Sequence, residues 1–485
     1  MEMIQWENQM KENLSLYLKE LIDFVKVPNN VFNIEQIVEN SQVLLKLMEK
    51  RGVKVEEIPT KTGRPLIYGE YISDPFNKTI LIYGHYDGVP VEEKGWKSGP
   101  YEPVFRNSTN VDSAGYLFNE NEDYLNGEWR VYGRSIADSK NAIVAILSGL
   151  DILKEKGIKP SVNLKFLFDG EEEVESPSLG ECLRKHPEKW RADLIISASG
   201  EVHQSGLPTV ELGVRGMLQL DLTTFTGVTD LHSGHFGSFA PNAVLDLSYL
   251  LSSMKDRFGR VSVEGFYDEV MELSESELVV LERIPSIEGD LCRNFGILEP
   301  EMKGMSLQRL INLPTLNIRG MSGGFIGEEA RNIIPSSATA ELDIRLVKGM
   351  DPDTTFEKVK QHVRGLGWSI LEHEPSRDEL LRCNKVVRMT KKAAFPATRT
   401  ELDSPEAKYV VNVLQQIFAD SMVVMPTEGG SLPLYLFERL GVPVVCLPTS
   451  NYDCNQHTNN ENLRIDHFTR AIKIFTTLFM THLKD

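Results

Sequence analysis

Thr79-Ile80-Leu81-Ile82-Tyr83-Gly84-His85-Tyr86-Asp87-Gly88-Val89-Pro90 is the stretch on which the reading of this chain turns. Its first five residues form an apolar run of the kind that makes a parallel strand buried on both faces. His85 and Asp87 follow two residues apart, at the carboxyl end of that strand, where open α/β sheets place their sites. In an extended chain this spacing aims both side chains to one side. An imidazole binds zinc well, and a nearby carboxylate orients the ring or a bound water. A strand-end histidine is also at home as a hydrogen-bonded surface group, so the reading depends on whether further ligands follow.

Working outward, residues 1–210 alternate apolar strand runs with helical patterns. A helix is expected from about Lys140 to Lys156, a strand over Val162–Phe168 and another over Ala192–Ser197. Such alternation predicts a mainly parallel sheet with helices on its faces. After about residue 210 the texture changes. Gln219–Thr226 (QLDLTTFT) and Ala338–Val347 (ATAELDIRLV) alternate polar and apolar residues, as half-exposed antiparallel strands do. Helical stretches are expected near 241–256 and 353–365, and residues 262–312 read as a polar, irregular elaboration. From Ser404 the first texture returns, with helices near 405–419, 432–440 and from 464, and strands at 421–425 and 442–447. The expected fold is therefore α/β: a mainly parallel catalytic domain (1–210 and 391–485) interrupted by an inserted α+β domain (211–390).

The 485 residues are too many for one hydrophobic core. A formal charge of −18 argues against binding a phosphate backbone, which needs a basic face. The five cysteines form no CxxC pair, which excludes a thiolate zinc site and fits a reducing compartment. The opening MEMIQWENQMKENL has no basic end followed by an apolar run, and no apolar stretch approaches the ~20 residues that span a bilayer. A cytoplasmic protein without nucleic-acid or membrane partners is expected.

Further motifs join the opening one. Tyr132-Gly133-Arg134-Ser135-Ile136-Ala137-Asp138-Ser139-Lys140 leads into a helix, where Asp138 taken alone reads as an N-cap before it reads as a ligand. Asp169-Gly170-Glu171-Glu172-Glu173-Val174-Glu175 starts where an apolar strand stops, an unusual place for a merely solvated charge run. Adjacent glutamates there can divide the work, one binding metal and one moving protons. His457 lies in the loop after the Val442–Leu447 strand, and Asp230-Leu231-His232-Ser233-Gly234 lies in the insertion.

Together GHYDGVP, GRSIADSKN, GEEEVESPSL, DLHSGHFG, NIIPSSATAELDIRLV, EGGSLP and QHTNNE resemble the successive signatures of one family. It is the dinuclear zinc metallopeptidase family of carnosinase, carboxypeptidase G, aminoacylase and the acetylornithine and succinyl-diaminopimelate deacylases. The long insertion with its VEGFYDEV stretch is most similar to the carnosinase-like dipeptidase branch. The resemblance implies two zinc ions per subunit, with cobalt or manganese also compatible with His and carboxylate ligands. It implies His85 as a ligand of one zinc, Asp87 as the carboxylate that orients it, and Asp138 as the bridge, followed by a cis peptide. Glu173 and His457 are implied as ligands of the second zinc, and Glu172 as the general base. His232 is implied to reach across a homodimer interface, formed by the inserted lid, to the developing oxyanion. Arg345 is implied to grip the substrate carboxylate with its guanidinium fork. Gly429-Gly430-Ser431 would add backbone N–H donors at a helix start.

The pattern departs at two positions. Where relatives carry an acidic ligand of the first zinc, the interval from Asp193 lands on Ser199. Glu201, two residues on and of the same strand parity, is the expected substitute; His203 shares that parity. Alternatively water or Ser199 completes the site, or catalysis has been lost. Glu175 stands where the family usually has Gly. The expected activity is hydrolysis of a dipeptide amide bearing a free carboxylate. A deacylase of N-acyl amino acids is the nearest rival, and a catalytically silent binding or scaffold protein is the rival from another class.

Overall fold

The computed structural model describes residues 2–92 and 94–484. Thr79–His85 is a strand at the heart of an eight-stranded sheet. It pairs in parallel with Asn163–Asp169 on one side and Leu194–Ser197 on the other, and Val444–Cys446 continues the parallel run. The outer strands break that run. Lys54–Ile58 and Leu66–Tyr71 are antiparallel, and Thr209–Glu211 opposes Val444–Cys446 before pairing in parallel with Val423–Met425.

The side-chain alternation of a strand splits the core in two. Ile80 and Ile82 join the cluster beneath helices Glu2–Val25, Asn141–Glu155 and Ile465–Met480, while Leu81 and Tyr83 pack with Leu179, Trp190 and Phe437 on the other face. Burial on both faces is why the run stays apolar to its end, each aliphatic side chain contributing about 1.5–3 kcal/mol.

A second sheet orders its five strands as Thr315–Ser322, Ser337–Leu346, Gly216–Phe225, Val386–Phe395 and Ser369–Leu371. Leu220 and Leu222 of the QLDLTTFT alternation, with Leu218 just before it, face helices Ala243–Met254 and Pro352–Gly365. Both helices start with a side-chain cap, from Asn242 to the Val244 and Leu245 amides and from Asp351 to the Thr354 amide. Residues 262–312 form three short helices, Glu275–Arg283, Glu288–Phe295 and Leu307–Ile311.

The expected boundaries shift by a few residues. Residue 390 falls inside Val386–Phe395, because that strand pairs with Gly216–Phe225 along most of its length. Glu211 still belongs to the first sheet. Between the two sheets Gly213–Val214 pairs with Thr398–Arg399. The crossing is close enough that a Cβ on Gly213 or Gly216 would collide with the backbone of Thr398 or Ala397. No described helix is long and apolar enough to cross a membrane.

Candidate active site

His85 ends its strand beside Asp169, the last residue of the neighbouring strand. A cavity of about 700 Å3 opens over these strand ends. His85, Asp138, Glu172, Glu173 and His457 line it from the first domain, and Met217 and Phe395 from the inserted one. One ligand atom each from His85, Asp138 and Glu173 lies within 4.8 Å of the others. His85 Nε2 stands 3.0 Å from Asp138 Oδ1, and His457 Nε2 stands 3.0 Å from Asp138 Oδ2 and 3.2 Å from Glu173 Oε2. One carboxylate is thus shared between two histidines, one oxygen to each.

Asp87 is fully buried and ties two of these groups together. Its Oδ2 accepts the Glu173 amide at 3.0 Å, and its Oδ1 lies 3.3 Å from His85 Nδ1, a close contact without hydrogen-bond alignment. The run of glutamates divides by environment. Glu171 is buried and braced, accepting from Thr62 Oγ1 and the Ser178 amide. Glu172 lines the cavity and makes no side-chain hydrogen bond among the described residues. Burial pushes its carboxyl up to about 8, His85 opposing and Glu173, Asp87 and Asp138 adding to the rise. Glu175 is exposed and sits at φ 68°, the left-handed region that explains a usual glycine there.

Among the described residues, six of the eight non-glycine positions with positive φ (Ser135, Glu175, Ser176, Asn455, His457 and Asn460) lie in the three loops that carry the cluster. Unusual backbone is concentrated where ligands are presented. The Asp138–Ser139 peptide is cis. Glu461, to which sequence reading gave no role, holds the Asp138 loop. Its carboxylate accepts from Arg134 Nη1 at 2.8 Å and from the amides of Ser135, Ala137 and Asp138 at 2.9, 2.9 and 3.2 Å. The only signal in the sequence is its place four residues after His457.

Other expected residues are placed less simply. Ser199 lines the cavity, as do Glu201 and His203. Glu201 lies outside the three-residue cluster, and its Oε1 accepts from the Cys454 thiol at 3.0 Å. His203 Nδ1 is paired with Ser205 Oγ at 2.9 Å. Gly429, Gly430 and Ser431 line the cavity, but they do not start a helix. Helix Tyr435–Glu438 begins beyond Pro433, and the Gly430 amide is already bonded to the Glu428 carboxylate. An anion therefore finds no helix N-terminus here. Arg345 reaches from the inserted domain to Ser431 Oγ at 2.7 Å and is braced by Asp343 at 3.1 Å, without itself lining the cavity. His232 is exposed, with Nδ1 accepting the Gly234 amide, and this chain does not bring it to the cluster.

The model of peptidase family M20/M25/M40 matches residues 81–481, and so nearly all of the sequence that builds this site. The chain belongs to that family. It is similar to the Cys-Gly metallodipeptidase dug1 of Schizosaccharomyces pombe, 27% identical over 97% of this chain and 95% of that protein. The Beta-Ala-His dipeptidase of Homo sapiens is 25% identical over 86% of this chain and 77% of that protein. Among solved structures, the M20 family metallo-carboxypeptidase Sso-CP2 from Sulfolobus solfataricus has a TM-score of 0.77 at 30% identity, over 96% of this chain and 98% of that one.

This M20/M25/M40 member is a metal-dependent hydrolase of peptide bonds, and its donor set fits a metal. Two imidazoles and two carboxylates converge in a largely buried place where like charges gain from a shared cation. Without one, protons fill the role. Hydrogen bonds to Asp138 and Glu173 push His457 up to about 10 despite burial. Burial opposes a charge on His85, but the Asp138 and Asp87 carboxylates beside it outweigh that and hold it well above the ordinary imidazole range. Both rings are therefore biased towards the protonated form in the metal-free protein, and a ligand histidine must be neutral. Loading should release protons, and apparent metal affinity should rise steadily from pH 6 to 8. Calorimetry of zinc binding in buffers of different ionisation enthalpy checks this. A binding enthalpy independent of buffer would contradict it.

Proposed function

We propose that the chain is a dinuclear zinc dipeptidase. The observation that carries this reading is the Asp138 carboxylate divided between His85 and His457, with Glu173 completing the second side. His85 and Asp138 would hold one metal. Asp138, Glu173 and His457 would hold the other; cobalt or manganese suits the same donors. Ser199 leaves the first metal short of an acidic ligand. Glu201 would supply that ligand; one of its oxygens accepts from the Cys454 thiol and the other is free of that contact. When bound, such ions polarise a scissile carbonyl and lower the pKa of water from ~16 to about 7.

The chain's own residues supply the rest. Glu172, with no partner of its own, takes the proton of the attacking water and passes it to the leaving amine. Asp87 fixes the His85 ring through its contact at Nδ1. Arg345 with Ser431 receives the free carboxylate of the leaving residue. His232 acts on the carbonyl oxygen from a second copy of the chain. Dimerisation through the inserted domain is supported by the exposed Ile318, Met321, Phe325 and Ile326 on and beside its edge strand Thr315–Ser322. Dipeptides are favoured as substrates because two of the three similar proteins named above are dipeptidases.

Metal analysis combined with a panel of dipeptides and N-acetyl amino acids tests the reading. Two metals per chain and dipeptide turnover are expected. At most one metal, with no hydrolysis under zinc, cobalt or manganese, would leave a binding protein instead. Turnover of the acetylated compounds alone would make it a deacylase.

A further inference from the structure

Apart from the histidine–carboxylate cluster, the cavity holds a carboxylate with no counterpart. Glu211 ends the strand Thr209–Glu211, is 5% exposed, and makes no side-chain hydrogen bond or ion pair among the described residues. Burying a carboxylate without a partner is costly, so a site that keeps one there invites a cation. Its surroundings sharpen the point. Burial holds the Glu211 carboxyl well above its ordinary range, Glu428 and Glu201 raise it further, and no basic group opposes them. Both neighbours line the same cavity, yet each has a donor already, Gly430 N–H for Glu428 and the Cys454 thiol for Glu201. Among the described residues, no lysine or arginine lines the cavity.

The sheet fixes how far this carboxylate lies from the chemistry. Leu194–Ser197 and Val444–Cys446 stand between Thr79–His85 and Thr209–Glu211. Cys446, the last residue of its strand, pairs with Glu211, so Glu211 is level with the strand ends that carry the site. Through Cys446 and Ser197 its register leads to Tyr83, two residues before His85, so three strand spacings of ~4.8 Å put its backbone about 14 Å from that of Tyr83. A substrate α-ammonium is two bonds from the scissile carbonyl and stays near the metal cluster. A cation borne at the end of a long side chain reaches the Glu211 wall.

We propose that Glu211, flanked by Glu428, is the specificity-determining group of a subsite for a side-chain ammonium or guanidinium of the substrate. The proposal rests on the dipeptidase reading, and its test separates the two. Lys-Gly and Gly-Lys are compared with norleucyl-glycine and glycyl-norleucine, which keep the length and both termini but lose the charge. The wild-type protein should favour lysine over norleucine at one of the two positions by about tenfold to a hundredfold in kcat/KM, the worth of a hydrogen bond to a charged group. The position showing the preference identifies which residue of the dipeptide enters the subsite. Glu211→Gln, isosteric and uncharged, should bring that ratio close to one.

The same ratio is read as Kd by calorimetry with metal-loaded Glu172→Ala, alone and combined with Glu211→Gln, where binding does not depend on turnover. Failure of the wild-type protein to hydrolyse any neutral dipeptide defeats the dipeptidase reading, while the lysine-to-norleucine Kd ratio still decides the subsite. Equal treatment of lysine and norleucine at both positions overturns the proposal, as does a preference that survives Glu211→Gln. The wild-type comparison alone can overturn it if the variant does not fold.

Discussion

Glu172→Ala should retain its metal and lose nearly all turnover. Glu172 lines the cavity beside Glu173 and holds no other side chain by a hydrogen bond among the described residues, so its removal breaks no bracing contact. The braces of this turn are Asp87 on the Glu173 amide, and Glu171 on Thr62 and Ser178. Removing a positioned general base costs about 10²–10⁴ in rate. Because the base acts in the reaction and not in holding substrate, kcat should fall with little change in KM. Metal content by atomic absorption and kcat on a neutral dipeptide check both halves. Wild-type activity would remove Glu172 as the base, whereas loss of metal would make it a ligand.

The ionisation of Glu172 gives this expectation a pH dependence. Its carboxyl is pushed up to about 8 in the metal-free site, chiefly by burial. Metal bound to Glu173, Asp138 and His85 places positive charge beside it and favours the ionised form, so loading should lower that value. A base must be deprotonated to act. The acidic limb of the kcat/KM profile should therefore fall below pH 8 in the metal-loaded enzyme, and it should disappear from the residual activity of Glu172→Ala.

The sequence made the scaffold legible for a definite physical reason. Thr79–His85 is buried on both faces, so only apolar residues are tolerated there, and the first polar side chains mark its end and the site together. The QLDLTTFT alternation reported the inserted sheet equally well, because one face packs on helices and the other does not. The residues that gather in the histidine–carboxylate cluster stood out through motifs at strand ends. What stayed hidden depends on partners distant in the chain. The antiparallel strands Lys54–Ile58 and Leu66–Tyr71, at one side of the sheet, carry nothing local that sets their direction. The helix expected over 432–440 shrinks to Tyr435–Glu438 because Pro433 and Gly441 bracket it. Glu211 and Glu461 read as ordinary charges, and only the fold shows one buried without a partner and the other buried beneath four donors.

Glu461→Ala should damage stability and metal binding together, although the residue touches the histidine–carboxylate cluster only through the Asp138 amide. Its partner Arg134 is as deeply buried as Glu461 itself, and their charged groups meet at 2.8 Å. Deleting one member of such a pair leaves an uncompensated buried charge, which costs about 3–5 kcal/mol. The amides of Ser135, Ala137 and Asp138 lose their acceptor at the same time, and these are the amides that hold the loop presenting Asp138. Glu461 also follows His457 in a loop whose Thr458 carbonyl accepts from Arg134, so one network sets the positions of both Asp138 and His457. Loss of supporting contacts of this kind typically lowers metal affinity about 10–100-fold. Glu461→Gln should be intermediate, since its oxygen still accepts while its NH2 faces a donor. Thermal unfolding of the metal-free proteins and a competitive zinc titration give the two readouts. A Glu461→Ala protein with wild-type Tm and wild-type zinc affinity would show that Arg134 and the loop hold Asp138 in place without the carboxylate.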